Sequence, residues 1–247
     1  MDKKVTVDLD IDSLYIENDT KFHNFKRRMT YRLPFKLIRK YLKKNRPTST
    51  HIDILEVGVG SGYFAKFFLE QYQTSNYTGL EYDPRLIDVT KQKVPHASLV
   101  QGNAEEFSLD QEFDVVVSFQ VLEHLYNPEA MIQHMFEHLK PGGLLVVTTP
   151  NLSGYGASIM GEGWHGYRDD HVSLKGHGEW LSLIERHGFE RSFSGSTFFT
   201  GLPWFNKMPL VLVNWFMLMT FGALKWSKGE SFVGAFIKKG TQSGSNE

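Results

Sequence analysis

The feature that most constrains the fold is a set of short apolar segments that alternate with helix-patterned segments between residues 51 and 151. Strands that are apolar on both faces and alternate with helices form a parallel sheet covered on both sides. The predicted strands are HIDILEV, YTGLEY, ASLVQ, DVVVSF and LLVVTT, and the predicted helices lie at 63–72, 85–92 and 128–139. The sequence therefore predicts a doubly wound α/β domain.

The last hundred residues add two predicted strands, FERSFSGSTFF and ESFVGAFIKK, and one predicted helix, EWLSLIERHG. Seven strands are then expected in one domain at 51–240, after an N-terminal helical extension at 1–50. Within that domain we expect a substrate loop at 151–178 and a C-terminal hydrophobic insert at 201–228. The polar residues 241–247 are expected to form a flexible tail.

The composition narrows the classes of function. The chain has 247 residues, a formal net charge of -1 and 41% hydrophobic residues, so the totals indicate neither disorder nor general binding of polyanions. It has no cysteine, which excludes disulfides, thiolate metal sites and cysteine nucleophiles. The start MDKKVTVDLDIDS does not resemble a signal peptide, so a cytoplasmic protein is expected, with membrane association as an open alternative.

Charge is unevenly distributed near the N-terminus. No acid occurs between Thr20 and Ile52, an interval with eleven Lys and Arg. Its apolar residues recur at three- and four-residue spacing, which predicts one or two amphipathic helices broken near Pro34. The simpler interpretation is a helix packed on the domain with a solvated basic face, and a phosphate-bearing substrate or an anionic membrane surface is the alternative.

A glycine-rich turn follows the first predicted strand in ILEVGVGSGYF. A dinucleotide-binding turn has the pattern G-x-G-x-x-G, whose third glycine permits close helix packing near the pyrophosphate. That position is Tyr63 here, and the glycines are Gly58, Gly60 and Gly62, preceded by the acid Glu56. The turn lets a ligand approach the backbone but does not form the usual pyrophosphate seat, so a nucleoside without phosphates is favoured over NAD.

Polar residues follow the next two predicted strands. In doubly wound sheets the ligand binds beyond the carboxyl ends of the strands, where the strand order reverses. Glu81 ends the second strand, and a carboxylate there can accept hydrogen bonds from both ribose hydroxyls. In GNAEEF, after the third strand, Asn103 and Glu105 could bind the edge of an adenine.

Together these stretches resemble the class I S-adenosylmethionine-dependent methyltransferases, which have a seven-stranded, mostly parallel Rossmann-like sheet. The resemblance covers about residues 51–151 through EVGVGSG, LEYDP, GNAEEF, FDVVVSFQVLEHLYNPE and LKPGGLLVVTTPN, and SFQVLEHL is most similar to the branch that methylates small molecules, including quinone and lipid precursors. Asn103 stands where the family often has Asp. The resemblance implies S-adenosylmethionine as the cofactor, bound by Glu56, Gly58, Gly60, Gly62, Glu81, Tyr82, Asn103, Ala104, Glu105, Phe119 and Gln120.

The implied methyl transfer needs the acceptor atom, the methyl carbon and the sulfur to be in line. Some acceptors must also lose a proton. Alignment of the reacting atoms can lower a barrier by roughly 7 to 11 kcal/mol. A histidine suits proton removal near neutral pH, and the candidates are His124 in LEH, with His165, His171 and Asp170 in the loop GWHGYRDDHVS. This loop is predicted to be a substrate lid, although a loop that only packs on the sheet is the alternative. We predict no metal, because no helix-face spacing of metal ligands supports one, and leave a divalent ion at this loop as an alternative.

The hydrophobic insert contains seventeen residues, 208–224, of which only Asn214 and Thr220 are clearly polar. About 20 residues are needed to span a bilayer, so a transmembrane helix is not expected. A helix between the last two strands is predicted, acting as a lid, a dimer contact or an interfacial membrane anchor, with an apolar core helix as the alternative. Aromatic residues across 204–226 would suit a lipid-like or aromatic acceptor.

The predicted function is methyl transfer to a small, apolar or amphipathic molecule. A nicotinamide-dependent oxidoreductase is a rival that Tyr63 argues against. An RNA methyltransferase that uses the basic helix is a second rival, but the segment after the fourth strand reads SFQV rather than the Asn/Asp-Pro-Pro-aromatic motif of nucleic-acid base methyltransferases, so nucleic acid is not the expected partner. A binding module that keeps the cofactor fold without turnover is the third. The oligomeric state is left open.

Overall fold

The computed structural model describes residues 21–47, 51–197, 202, 204, 207–221 and 223–239. The predicted tail at 241–247 and the first twenty residues of the N-terminal extension lie outside the described residues. The helices are α1 (Lys21–Asn45), α2 (Tyr63–Leu69), α3 (Pro84–Lys93), α4 (Pro128–Glu137), α5 (Tyr155–Met160), α6 (His177–Arg186) and α7 (Leu210–Phe221). The strands are β1 (Asp53–Val57), β2 (Asn76–Glu81), β3 (Ser98–Gln101), β4 (Phe113–Phe119), β5 (Leu139–Pro150), β6 (Phe189–Thr197), β7 (Ala223–Leu224) and β8 (Ser231–Lys238).

The strands form one sheet in the order β3-β2-β1-β4-β5-β8-β6-β7. The first five strands pair in parallel, β8 is antiparallel to both β5 and β6, and β7 is antiparallel to β6. The predicted α/β fold with seven strands is confirmed. The two-residue strand β7 extends the edge of the sheet and comes from the segment predicted as the hydrophobic insert.

Both faces of the sheet are covered, as the apolar strands predict. Val116 packs into a core with Met131 of α4 and Trp180 of α6. The neighbouring residues Val115 and Val117 point to the opposite face, into a second core with residues of α1 and α2. Because successive side chains of a strand alternate between faces, burial of all three valines requires cover on both sides.

Helix α1 lies across one face of the sheet and continues through Pro34. The predicted break at this proline was wrong. Proline removes one helical hydrogen bond, a cost of about 3 kcal/mol in a helix interior, but Pro34 is buried and α1 contacts the sheet on both sides of it. The ring of Tyr31 lies 5.4 Å from the ring of Phe119 between centroids. Further along, the hydroxyl of Tyr41 donates to the carbonyl of Gly142 at 2.7 Å. Tertiary packing therefore supports the helix across its proline.

The opposite face of α1 is basic and exposed, as the simpler interpretation of the charge run predicted. One cation near its end is used structurally, because Arg46 forms an ion pair with the buried Asp114 at 2.5 Å. The exposed cations of the described part of the helix are Arg32, Lys36, Arg39, Lys40, Lys43 and Lys44.

Helix α7 lies between β6 and β8 in the chain, as predicted for the hydrophobic insert. Two of its apolar side chains are more than half exposed, Leu212 at 58% and Phe216 at 57%, whereas Asn214 is buried. Within the described ranges, no helix combines the length and the apolar character that a bilayer span requires.

Candidate functional site

The carboxyl ends of the parallel strands meet at one edge of the sheet, where β1 has β2 on one side and β4 on the other. The order of the strands reverses between β1 and β4, which is the place where doubly wound sheets bind ligands. Every residue that the sequence predicted to contact the cofactor lies in or directly after β1, β2, β3 or β4.

The glycine turn after β1 is fastened to β2. The backbone N–H groups of Gly58 and Val59 both donate to the carbonyl of Leu80, at 2.8 and 3.0 Å. Gly58 has a φ of 80°, and a Cβ there would lie 2.4 Å from a methyl carbon of Val121. Gly60 has a φ of 53°, and a Cβ there would meet no atom of the described residues within 4 Å. Gly58 is therefore required by packing, whereas Gly60 borders open space that a ligand can occupy.

The far side of the turn packs on α3. A Cβ on Gly62 would lie 2.7 Å from the side chain of Thr90, so this glycine is explained by the close approach of the helix. The hydroxyl of Thr90 also donates to the carbonyl of Gly60 at 2.7 Å. The turn is thus held from both β2 and α3.

Glu81 joins the end of β2 to the glycine turn. Its Oε2 accepts a hydrogen bond from the N–H of Gly60 at 2.8 Å. Its Oε1 accepts from the N–H groups of Tyr82 and Asp83, at 2.9 and 3.1 Å. Burial raises the pKa of Glu81, and the three hydrogen bonds oppose that shift. The carboxyl group is therefore held in one orientation, and the further lone pairs of its two oxygens can accept hydrogen bonds from ligand hydroxyls.

A cleft of about 430 Å³ lies beyond the ends of β2 and β3, lined by Tyr82, Pro84, Gln101, Gly102 and Asn103. Two of the residues predicted to bind the cofactor, Tyr82 and Asn103, line it directly, and Asn103 is one of the two predicted to bind the adenine edge.

Glu105 and Ala104 stand beside this cleft rather than among its lining residues. Oδ1 of Asn103 accepts from the N–H of Glu105 at 3.0 Å, and Oε1 of Glu105 accepts from the N–H of Asn127 at 2.5 Å. Ala104 packs partly buried against the core. These contacts shape the loop, and the adenine role of Asn103 and Glu105 and the cofactor contact of Ala104 stay predictions.

Glu56 precedes the turn and is buried in the sheet. Its Oε2 accepts a hydrogen bond from the hydroxyl of Tyr77 at 2.5 Å. Burial raises its pKa to about 8, so the carboxyl group is mostly protonated at neutral pH in the absence of a ligand. The side chain of Glu56 is buried rather than exposed to a ligand, so its contact with the cofactor stays a prediction.

The end of β4 brings aromatic and strained backbone groups to the site. Phe119 lies edge-on to Phe64 of α2, with 4.7 Å between ring centroids, and Tyr31 of α1 lies against both rings. Gln120 has a φ of 56°, and its side chain and backbone N–H bond to Thr148. A left-handed conformation outside glycine is uncommon and costs energy, which is typical of functional sites. Sequence reasoning missed Tyr31, because its contact joins residues far apart in the chain.

Three of the four predicted catalytic residues come together after β4. The rings of His124 and His171 are 4.7 Å apart between centroids. Nδ1 of His124 lies 3.0 Å from the carbonyl oxygen of Asp170 and 3.3 Å from its carboxylate. Nδ1 of His171 lies 2.7 Å from the carbonyl oxygen of Gly166. Burial lowers the pKa of both histidines, which favours their neutral form.

Glu123 lies beside this pair and was not among the predicted catalytic residues. It is 1% exposed, and its Oε2 accepts from the hydroxyl of Thr149 at 3.0 Å. Burial raises its pKa to about 7. A carboxylate oxygen of Glu123 and one ring nitrogen each of His124 and His171 lie within 4.8 Å of one another. The sequence signal for this cluster was the adjacent acid and histidine in LEH. No sequence pattern indicated that the distant His171 would lie beside them.

The fourth candidate, His165, has a different neighbour. Its side chain is 58% exposed, and its Nδ1 lies 3.9 Å from Oε2 of Glu230. That carboxylate also accepts a hydrogen bond from the indole N–H of Trp164 at 2.6 Å. The catalytic role of His165 stays a prediction.

Comparison with known proteins agrees with this geometry. The chain is 37% identical over 100 residues to a protein named "Probable S-adenosylmethionine-dependent methyltransferase" from Mycolicibacterium smegmatis, a match that covers 40% of this chain and 38% of that protein. It is 28% identical over 100 residues to the malonyl-[acyl-carrier protein] O-methyltransferase of Priestia megaterium, covering 40% of this chain and 36% of that protein. The chain thus spans less than half the length of these relatives.

The fold matches a solved structure of the plantazolicin methyltransferase BamL in complex with a triazolic desmethylPZN analog and SAH, with a TM-score of 0.63, 17% identity and 92% coverage of both chains. A family model for the methyltransferase domain matches residues 25–192, which include the glycine turn, Glu81 and the histidine cluster. The predicted family, fold and the S-adenosylmethionine cofactor of that family are confirmed by these findings. The chain therefore belongs to the methyltransferase domain family.

Proposed function

We propose that this chain transfers a methyl group from S-adenosylmethionine to a small apolar or amphipathic molecule. The observation that carries this proposal is the arrangement of Gly60 and Glu81. The backbone of Gly60, which has no side chain, and the fixed carboxyl group of Glu81 border the same open space. The names of the curated relatives support the cofactor, and a malonyl-[acyl-carrier protein] and a ubiquinone biosynthesis O-methyltransferase among them support an acceptor that is a small group or a small molecule.

The cofactor is expected to follow the edge of the sheet. Its ribose hydroxyls would donate to Glu81, its adenine would enter the cleft beside Tyr82 and Asn103, and its methionine part would pass Gly60 toward the end of β4. Bound there, S-adenosylmethionine supplies an electrophilic methyl group on a sulfonium. Phe119 and Tyr31 would exclude water on the side of α1.

The acceptor is expected on the side of His124 and His171. There the acceptor atom would bond to the methyl carbon as the bond from that carbon to sulfur breaks, and the site would have to hold the three atoms in line. An acceptor hydroxyl or protonated amine must also lose a proton. A neutral imidazole of His124 or His171 can take it, and the carbonyl and carboxylate of Asp170 would stabilise the imidazolium that results.

We further propose that α7 brings the site to a membrane surface that carries anionic lipid. The exposed apolar side chains Leu212 and Phe216 have exposed lysines before and after the helix, at Lys207, Lys225 and Lys228. Exposed apolar patches mark sites of membrane contact, and cations beside them attract anionic lipid. An amphipathic acceptor could then be reached from the lipid.

The test is transfer of a labelled methyl group from S-adenosylmethionine to pools of quinone precursors, acyl thioesters and phenols. The proposal expects label in one pool, and loss of that label with Glu81→Ala. Cofactor binding without transfer to any pool would favour the binding module without turnover.

A further inference from the structure

We propose that Glu123, His124 and His171 form a binding site for a divalent transition-metal ion such as Zn²⁺. One carboxylate oxygen and two ring nitrogens lie within 4.8 Å of one another. Two histidines and one carboxylate are a common ligand set for Zn²⁺ and for other divalent ions of the first transition series. The three ligands come from the turn after β4 and from the loop before α6, so they meet only in the folded chain.

The hydrogen bonds of the two histidines fix the lone pairs that such an ion needs. Nδ1 of His124 faces the carbonyl oxygen of Asp170, and Nδ1 of His171 faces the carbonyl oxygen of Gly166. A carbonyl oxygen only accepts, so each Nδ1 carries the proton and each Nε2 keeps a lone pair. Histidines that bind metals usually donate their second N–H in this way to a carbonyl or carboxylate.

The carboxyl group of Glu123 supplies the independent observation. Oε2 is satisfied by the hydroxyl of Thr149, but within the part of the chain that the structure describes Oε1 has no hydrogen-bond partner and no exposure to solvent. A buried acceptor without a partner has a cost to stability, because its desolvation is not offset. An ion among the three residues would satisfy this oxygen and remove that cost.

The site also joins the loop to the sheet. The N–H of Ser173 donates to the carbonyl of Glu123 at 3.0 Å, so His171 is held against the turn that carries the other two ligands. Three protein ligands leave a tetrahedral ion one open position, which is typical of catalytic rather than structural zinc sites.

The consequence for catalysis rests on the proposed function. An oxygen of the acceptor could fill the open position, and a bound cation lowers the pKa of a hydroxyl that it coordinates. His124 and His171 would then act as ligands rather than as proton acceptors, and the proton of the hydroxyl would pass to solvent.

The experiment is calorimetric titration of the full chain, after chelator treatment, with Zn²⁺ and separately with Mg²⁺. We expect one Zn²⁺ per chain with much weaker binding of Mg²⁺, because two imidazole ligands disfavour a hard ion. Titration with Co²⁺ should give the visible absorption bands of a low-coordinate site. The variants Glu123→Gln and His171→Ala should each weaken Zn²⁺ binding at least tenfold, and His96→Ala, which removes an exposed histidine elsewhere, should not.

Further measurements separate a failed fold, a wrong metal site and a wrong cofactor site. Circular dichroism checks that each variant folds, and His124→Ala replaces Glu123→Gln if the buried substitution fails to fold. No Zn²⁺ binding by the parent chain, or equal binding by the His171→Ala and His96→Ala variants, would overturn the metal site. Titration of the same metal-free samples with S-adenosylmethionine tests the proposed function separately, because none of the three ligands is among the groups expected to hold the cofactor.

Discussion

The backbone N–H of Gly60 donates a hydrogen bond to Oε2 of Glu81, with 2.8 Å between the nitrogen and the oxygen. This bond connects the glycine turn after β1 with the acid that ends β2. The backbone that would lie against the cofactor and the carboxyl group that would bind its ribose are thus positioned by each other.

Replacement of Glu81 by alanine should weaken the binding of S-adenosylmethionine by roughly 1.5 to 3 kcal/mol, the range for a hydrogen bond to a charged group. This corresponds to about ten- to hundredfold in Kd. Calorimetric titration measures the change, and Asp88→Ala, which removes an exposed acid of α3, is the matched control. An unchanged Kd in Glu81→Ala would rule out the ribose assignment.

The substitution Gly60→Val should abolish cofactor binding and leave a cooperatively folded protein, because the new Cβ would meet no atom of the described residues within 4 Å and would enter space expected to hold the ligand. The control is Gly142→Val, since Gly142 also has a positive φ and an open surrounding but lies before the buried part of β5. Both variants should lose some stability from backbone strain. If both bind the cofactor equally well, Gly60 does not face the ligand.

Substitution of His171 by alanine should leave the affinity for S-adenosylmethionine unchanged and reduce methyl transfer about a hundredfold or more, the typical contribution of a positioned proton acceptor. A comparable loss is expected if the residue binds a metal instead. Labelled-methyl transfer to the acceptor found in the screen gives the rate, and His96→Ala is the control. Full activity of His171→Ala would remove the residue from the catalytic set.

The buried Glu56 should make the stability of the cofactor-free protein depend on pH. Burial raises its pKa from 4.5 to about 8, so the folded chain holds this proton to higher pH than the unfolded chain. The stabilisation that this bound proton adds to the unfolding free energy is complete below pH 4.5, the ordinary pKa. It is lost as the pH rises to about 8, and each unit of difference between the two pKa values is worth about 1.4 kcal/mol.

The variant Glu56→Gln keeps an acceptor for Tyr77 and cannot ionise, so its unfolding free energy should fall less between about pH 5 and about pH 8. Urea unfolding at both pH values measures the difference. Glu162→Gln, which changes an exposed carboxyl group, should follow the parent chain. Parallel pH dependence of the parent and Glu56→Gln would show that Glu56 ionises normally.

The α7 proposal is tested with vesicles that contain anionic lipid. Phe216→Glu places a charge on the exposed apolar face and should reduce cosedimentation with these vesicles severalfold, and Gln92→Glu, which adds the same charge on exposed α3, should not. Cosedimentation that is equally strong in both variants would contradict membrane contact through α7.

Patterns local in sequence allowed most of the sheet and part of the site to be predicted. The short apolar runs give the strands, and the placement of Glu81 after β2 gives its position beside the turn. The break at Pro34 was wrongly predicted because the packing of α1 on the sheet outweighs one lost helical hydrogen bond. Tyr31 beside Phe119 and Glu123 beside His171 depend on contacts between distant segments, which periodicity and motif spacing do not encode.

The most direct test of the central claim is parallel calorimetric titration of the purified chain with S-adenosylmethionine, S-adenosylhomocysteine and NAD. The geometry of Gly60, Glu81 and the adjacent cleft predicts micromolar binding of the first two ligands and no heat from NAD. Binding of NAD alone, or of none of the three, would contradict the proposed cofactor site.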